Sequence, residues 1–454
     1  MKIFLSSITI LALFFKLHFS SFFQAKVEKV TFNPPPTACD NVTGIEKIIC
    51  LSDAFKATLT AAQLATVQLN YSFADAAKWS NLPQSLSKNR IGIQTANLNA
   101  TQLAAAKELL KAMTGTTANE GYAELTALLA ADDYLNTAGG GSGYGAGNYF
   151  MAFLGTPAQT GLFEIQFGGH HHTVSNTYNN GKIIGATPAF RASEPSGTFT
   201  QAGATYQPIL QEKAAFAAII ASFSTTQAAT AKSSSSFNDI VLGPGKDYKF
   251  PTSSLGIKVG TLSAAQKTLV LNAIKTYTND LNAEDEAVIL GRYQAELDET
   301  YVLFAGSGTM ETKGDYIRID GPGVWIEYNT QGGIIIKNEN HPHSVWRDRK
   351  GDYDSGKTTN TAEANSFKGD FSVFPNPTSN DLNIKIGLEN NAQVTVNVID
   401  MTGRKVLTTT QNLNEGKQNI SIDMERLASG VYTCSLEVKT EKGVTFATRK
   451  VTKM

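Results

Sequence analysis

Two apolar periods run along this chain, and their order limits what it can fold into. Apolar residues recur at helical spacing over 54–69, 103–110, 122–135 and 209–231, then over 264–281 behind a Ser263 cap, and over 284–303. Strand patterns interrupt them at 161–167, 182–187, 315–328 and 334–337. Helices cluster early and strands late, so the central part reads as one large α+β domain, with helices packed on a mostly antiparallel sheet, and not as an alternating α/β fold. The last eighty or so residues change texture. Asn383-Ile384-Lys385-Ile386 and Val394-Thr395-Val396-Asn397-Val398 alternate with period two, and Met401-Thr402-Gly403-Arg404 marks a turn, the outline of a small all-β sandwich.

The chain ends carry further signals. Met1-Lys2 precedes an almost unbroken apolar run from Ile3 to Phe15, the layout of a secretory signal peptide over 1–25, with cleavage near Ala25. That run is short for a bilayer span, and no later stretch is long enough, so no transmembrane segment is expected after signal removal. Export would place Cys39 and Cys50 in an oxidising compartment, where a bridge across the intervening turn is expected; Cys434, on an apolar strand pattern, reads as core. The stretch from Tyr353 to Asp370 is polar and without apolar period. It reads as a linker, set at 356–370, between a central domain over 30–355 and a C-terminal module over 371–454. With 39 basic and 40 acidic side chains among 454 residues, the chain offers no electrostatic reason to bind nucleic acid.

Common catalytic signatures are absent. Gly139-Gly140-Gly141-Ser142-Gly143 lacks phosphate-loop spacing, and no G-x-S-x-G elbow, H-E-x-x-H helix or paired C-x-x-C occurs. The histidines are the informative residues. Of six, His18 falls in the signal region, and the other five form two clusters, His170-His171-His172 and His341-Pro342-His343. Neutral imidazole is the commonest protein ligand for zinc, copper and iron, and clusters distant in sequence are how a fold assembles a four-coordinate site.

Strand geometry gives a first guess at partners. If Gly168-Gly169 makes a bulge after the alternating Phe163-Glu164-Ile165-Gln166-Phe167, His170 and His172 share a face, as His341 and His343 would. Glu194 follows the second strand, and Glu327 interrupts an apolar run; each needs a cation, Arg318 or Arg347 as partner.

The C-terminal segment resembles the Por (type IX) secretion system C-terminal sorting domain of Bacteroidota. The likeness rests on Phe374-Pro375-Asn376-Pro377, Gly403-Arg404-Lys405-Val406, Leu427-Ala428-Ser429-Gly430-Val431-Tyr432 and Thr448-Arg449-Lys450-Val451. It implies export through the periplasm, the type IX secretion machinery as partner, and release or anchoring at the outer-membrane surface. The central domain resembles the domain-of-unknown-function family numbered 3500. Here the likeness rests on Trp79-Ser80-Asn81-Leu82-Pro83, Gly169-His170-His171, Thr187-Pro188-Ala189-Phe190 with Glu194-Pro195, Tyr316-Ile317-Arg318-Ile319-Asp320-Gly321-Pro322, Ile326-Glu327-Tyr328 and Asn340-His341-Pro342-His343-Ser344-Val345-Trp346-Arg347-Asp348. That family's pattern places an apolar residue where His172 stands, which favours His170 with His171.

The expectation is therefore a secreted or cell-surface protein holding a transition metal ion (zinc, copper or iron) through His170, His171, His341 and His343. Glu194, Glu327, Arg318 and Arg347 are the catalytic candidates toward an unidentified small-molecule or polymer substrate. An open metal position would allow hydrolysis or oxidation. The rivals are a metal-free hydrolase using His and Glu as acid and base, and a binding or adhesion domain in which the histidines only pack.

Overall fold

A computed structural model describes residues 39–354, 367, 369–400, 405–440 and 443–454. The expected signal peptide, most of the linker and the 401–404 turn lie outside the described residues. The central domain is α+β. Its first half runs α1 (Gly44–Ala57), α2 (Ala61–Val67), β1 (Gln68–Leu69), α3 (Phe73–Ala76), β2 (Ile93–Gln94), α4 (Ala100–Met113) and α5 (Gly121–Leu135). Strands β3 (Phe150–Leu154), β4 (Leu162–Gly168), β5 (His172–Asn179), β6 (Lys182–Gly185) and β7 (Ala189–Ala192) follow. After a small hairpin of β8 (Phe199–Gln201) and β9 (Ala204–Tyr206) comes a second half. It comprises α6 (Leu210–Ala221), α7 (Thr225–Ala231), β10 (Ile257–Lys258), α8 (Ala264–Thr278), α9 (Ala283–Ala295), β11 (Tyr301–Ala305), β12 (Tyr316–Asp320), β13 (Val324–Gly332) and β14 (Asn340–Asp348).

The halves repeat each other. Thr60 and Ser224, Gln63 and Gln227, Asn99 and Ser263, and Gln102 and Gln266 all lie 164 positions apart, and each set builds two capping boxes. The capping glutamines then bond each other in the same way. Gln102 Nε2 donates to Gln63 Oε1 at 2.9 Å and to the Thr58 carbonyl at 2.9 Å; Gln266 Nε2 donates to Gln227 Oε1 at 2.9 Å and to the Ser222 carbonyl at 2.8 Å. Gly92 and Gly256 match too. Both sit at positive φ, and a Cβ on either would stand 2.1 Å from a strand carbonyl, that of Met151 or Val302.

The sheet carries the same symmetry. Its order is β3-β4-β5-β7 in one half and β14-β13-β12-β11 in the other, joined where β7 and β14 pair antiparallel with Phe190 opposite Val345. Every strand pairing of this sheet among the described residues is antiparallel except that of the short β1, which runs parallel to β3. Ala189 and Trp346 point from this seam into the main core with the helices, whereas Phe190, Ala192 and Val345 face a smaller core closed by Trp79 and Tyr353. One sheet face is thus covered by helices and the other by loops. The Cys39–Cys50 disulfide is present and ties α1 to the segment before it.

Several local readings of the sequence change. The 209–231 run is two helices, because Ser224 caps a new one. The 284–303 run ends as helix at Ala295 and resumes as β11, an apolar stretch whose period alone does not separate the two states. Gly168-Gly169 makes no bulge: β4 ends at Gly168, and Gly169 N–H donates to the His172 carbonyl at 2.8 Å, closing a hairpin with His170 and His171 at its tip. Ile334–Ile336 is a loop and not a strand, and Tyr353 is a fully buried core residue, not linker.

The C-terminal module is all-β. One antiparallel sheet comprises β15 (Phe371–Phe374), β16 (Asp381–Leu388) and β19 (Gly416–Asp423). The other comprises β18 (Lys405–Leu413), β17 (Ala392–Ile399), β20 (Gly430–Thr440) and β21 (Gly443–Lys453). Alternate residues such as Leu382, Ile384, Val394, Val396, Cys434 and Leu436 are buried in one shared core, which is where period two in the sequence sends them.

Candidate metal centre

The histidine clusters meet on the loop-covered face. His343 pairs with Ala192 across β14 and β7, and period two puts His341 on the same side. The β4–β5 hairpin brings His171 to them. One ring nitrogen from each of His171, His341 and His343 lies within 4.8 Å of the others. His341 Nε2 and His343 Nε2 are 3.2 Å apart, close to the edge of about 3.3 Å that two imidazoles span on a tetrahedral ion at 2.0–2.1 Å. The His171 ring centroid is 5.6 Å from both others. His171 holds left-handed backbone at φ 64, a conformation that histidine adopts uncommonly and that aims its ring at β14.

His170 stands beside this triad. Its ring stacks on His171 with centroids 3.5 Å apart, and its Nδ1 meets Asp132 Oδ1 at 2.5 Å. The Asp132 second oxygen accepts from Gly145 N–H at 2.8 Å, so the carboxylate is held from both sides. Tyr149 O–H donates to the His170 carbonyl, and Tyr144 sets its ring edge-on to His170 at 4.8 Å. On the outer side, His343 Nδ1 lies 3.1 Å from Asp239 Oδ1 and 2.9 Å from Gln331 Nε2. The His343 side chain is 11% exposed and that of Asp239 47%, which makes this the side open to solvent.

Burial sets the protonation state. The His171 pKa is held well below the usual imidazole value by burial, then by the neighbouring His170, His343 and His341. That of His341 is pushed down to about 3 by burial, His343 and His170, against the opposing pull of Asp239 and the Gly332 backbone. Both are therefore neutral at ordinary pH, the form whose lone pair binds a metal.

The remaining candidates have partners or positions of their own. His172 points to the helix side, opposite Arg191, with both ring nitrogens lacking a hydrogen-bond partner among the described residues. The Glu194 Oε1 accepts from the N–H groups of Ile334, Ile335 and Ile336 at 2.8, 2.8 and 2.6 Å and folds that loop around itself. Glu327 accepts from Val241 and Leu242 N–H, the Trp325 indole and the Tyr316 hydroxyl, so it fastens the 237–242 loop to the sheet. Arg318 lies over Trp325, 4.7 Å from its ring centre. Arg347 pairs with Asp352 at 2.7 Å and Asp247 at 3.0 Å. Asp132 and Asp239, which touch His170 and His343, are not legible in the sequence because nothing local marks them; only the fold brings residues 132 and 239 to 170 and 343.

A second buried polar centre sits on the helix side. Arg191 reaches Glu212 at 2.6 Å, Glu124 at 3.0 Å, and Asp280. Glu120 packs nearby, its pKa pushed up to about 9 by burial and then by Glu212 and Asp280. Four carboxyls facing one guanidinium in a dry interior favour bound protons.

A duplicated α+β domain with a buried imidazole cluster, followed by a separate β module, defines a two-part chain whose candidate site, among the described residues, lies in the first part. The chain belongs to the family described as Protein of unknown function (DUF3500), whose model matches residues 41–355. Residues 372–451 match the Secretion system C-terminal sorting domain, which ties the chain to export by that machinery, secreted or at the outer-membrane surface. No helix among the described residues is long and apolar enough to cross a membrane.

No curated protein matches. Among solved structures, CopC from Methylosinus trichosporium OB3b is similar at 14% identity, covering 18% of this chain and 93% of that one, with a TM-score of 0.16. Dimeric latent PorU from Porphyromonas gingivalis is 16% identical over 30% of this chain and 13% of that one, at 0.18. An endonuclease/exonuclease/phosphatase from Beutenbergia cavernae DSM 12333 is 12% identical over 31% and 37%, at 0.14. Likenesses at these scores carry no argument about this domain.

Proposed function

We propose that the central domain binds one transition metal ion, of the zinc, copper or iron class, through His171, His341 and His343. The observation that carries this is the convergence of three imidazole nitrogens, two of them on rings that burial keeps neutral, on one point of the loop face. Three protein ligands leave a coordination position for a substrate, and the ion would supply Lewis acidity there, which fits a metal-dependent hydrolase or oxidoreductase. His170, oriented by Asp132 in the way a carboxylate fixes a histidine tautomer, is the group for proton transfer at that position. Glu194 and Glu327 are not assigned that role: donors occupy both Glu327 oxygens, and three backbone N–H groups of one loop hold Glu194 by its Oε1.

The 2.5 Å contact between His170 and Asp132 also favours a second reading, a metal-free hydrolase whose base is His170. Elemental analysis of the purified secreted protein, beside the variant His341→Ala with His343→Ala, separates the two. About one equivalent of metal in the parent and none in a variant with unchanged circular dichroism is the expected result. Equal metal content in both proteins overturns the proposal, and hydrolytic activity that survives a chelator would move the assignment to the metal-free reading.

A further inference from the structure

An apolar cavity of about 480 Å³ lies on the helix side of the first half, between α4, α5 and strands β3 and β4. Its volume falls within the roughly 300–1,000 Å³ of small-molecule sites. Leu103, Leu110, Leu125, Leu129, Met151 and Phe167 supply the walls. The internal duplication offers a control. Ala106 lines the cavity, and its counterpart in the second half is Val270, a wholly buried core residue, so the first half carries the smaller side chain where the second fills space.

The rim is polar and unequal in charge. Lys107 is exposed and, among the described residues, makes no ion pair, whereas the next basic residue on the helix, Lys111, is paired with Glu108 at 2.7 Å. The acid on the lining, Asp133, is turned to Ala146 N–H at 2.7 Å. The β8–β9 hairpin closes one side with Ala202 and Tyr206 and is held on α5 by Phe199, 5.5 Å from Tyr134. Such a hairpin is marginal by itself and depends on these rings.

We propose that this cavity binds a long-chain carboxylate, its alkyl chain among the leucines and its carboxylate at Lys107. The site is separate from the histidine centre and does not rest on a metal being bound. Isothermal titration of the full secreted chain with dodecanoate and with dodecanol tests it. Dodecanoate should bind, and Lys107→Glu should weaken it about tenfold while leaving dodecanol unchanged. Ala106→Phe and Thr126→Phe, which fill the cavity from opposite helices, should each abolish binding of both ligands. Metal content and circular dichroism should stay at parent values, and two independent fillings guard against one variant failing to fold. No binding to the parent chain, binding that survives both filled variants, or dodecanoate affinity unchanged in Lys107→Glu overturns the proposal.

Discussion

His172 offers the sharpest test of which histidines belong together. It is 3% exposed, and among the described residues neither ring nitrogen has a hydrogen-bond partner; its pKa is pushed down to about 3 by burial and then by the charge of Arg191. In the unfolded chain the same imidazole titrates near 6.5. A lowered folded pKa for a base means that the unfolded state binds the extra proton, so the contribution to stability is complete above about pH 6.5 and falls as the pH drops toward 3. At pH 5 the unfolded state gains about 1.5 pH units of protonation free energy, or about 2 kcal/mol.

His172→Leu removes both the titration and the two unpaired nitrogens. The variant should equal or exceed the parent by about 1–3 kcal/mol at pH 8, and that margin should widen by about 2 kcal/mol at pH 5. All three tryptophans, Trp79, Trp325 and Trp346, lie in the central domain, so urea unfolding followed by tryptophan fluorescence reports this domain alone. Carboxylates that titrate over the same range cancel, because the two proteins are compared at each pH. Parallel pH profiles would refute the reasoning about a buried neutral imidazole. Loss of bound metal in the variant would refute the placement of His172 on the opposite face from the triad.

Other substitutions probe the supports. A Cβ at position 169 would stand 2.8 Å from Tyr149 Cγ, in a ring that is fully buried and bonded to the His170 carbonyl; Gly169→Ala should cost about 1–3 kcal/mol in urea unfolding and lower metal content. Gln102→Ala and Gln266→Ala should each cost about 1–3 kcal/mol, and by similar amounts, because each breaks the same bonds in one repeat; costs that differ severalfold would argue against equivalent packing. Glu120 has a raised pKa of about 9, so its stabilising proton is fully held in both states below about pH 4.5, and the folded state loses ground as pH rises toward 9. Glu120→Gln should therefore gain up to about 3 kcal/mol on the parent between pH 4 and pH 7, measured by the same unfolding curves, and a constant difference would count against the assignment.

Much of this architecture is legible in the sequence where local physics decides it. The helix over 122–135 and the strand over 161–167 follow from period alone, and Ser263 marks a helix start because its side chain caps Gln266 N–H. The two histidine clusters announce the centre by their isolation. What stays hidden is non-local. The hairpin at His170-His171 was masked by the glycines before it, which fit a bulge as well as a turn, and the resulting register sends His171 to the triad while His172 joins the helix side. Glu327, within an apolar run, and Glu194, just after a strand, stand out in the sequence because a carboxylate there needs a partner, and backbone N–H groups from distant loops bond both of them.

The duplication also escapes a reading based on motifs, because what repeats is capping and turn chemistry, with little identity between the halves. It explains why the candidate site lies on one side of the molecule. The hairpin tip His170-His171 corresponds to Pro322-Gly323 in the second half, each closed by the same bond, Gly169 N–H to the His172 carbonyl and Gly321 N–H to the Val324 carbonyl at 2.7 Å. The second half instead contributes its last strand, whose His341 and His343 run past the seam to meet the first half's hairpin. Neither half has the three imidazoles alone. A duplicated scaffold thus supplies a β7–β14 seam packed on both faces, and the candidate site lies at the few positions at which the repeats differ.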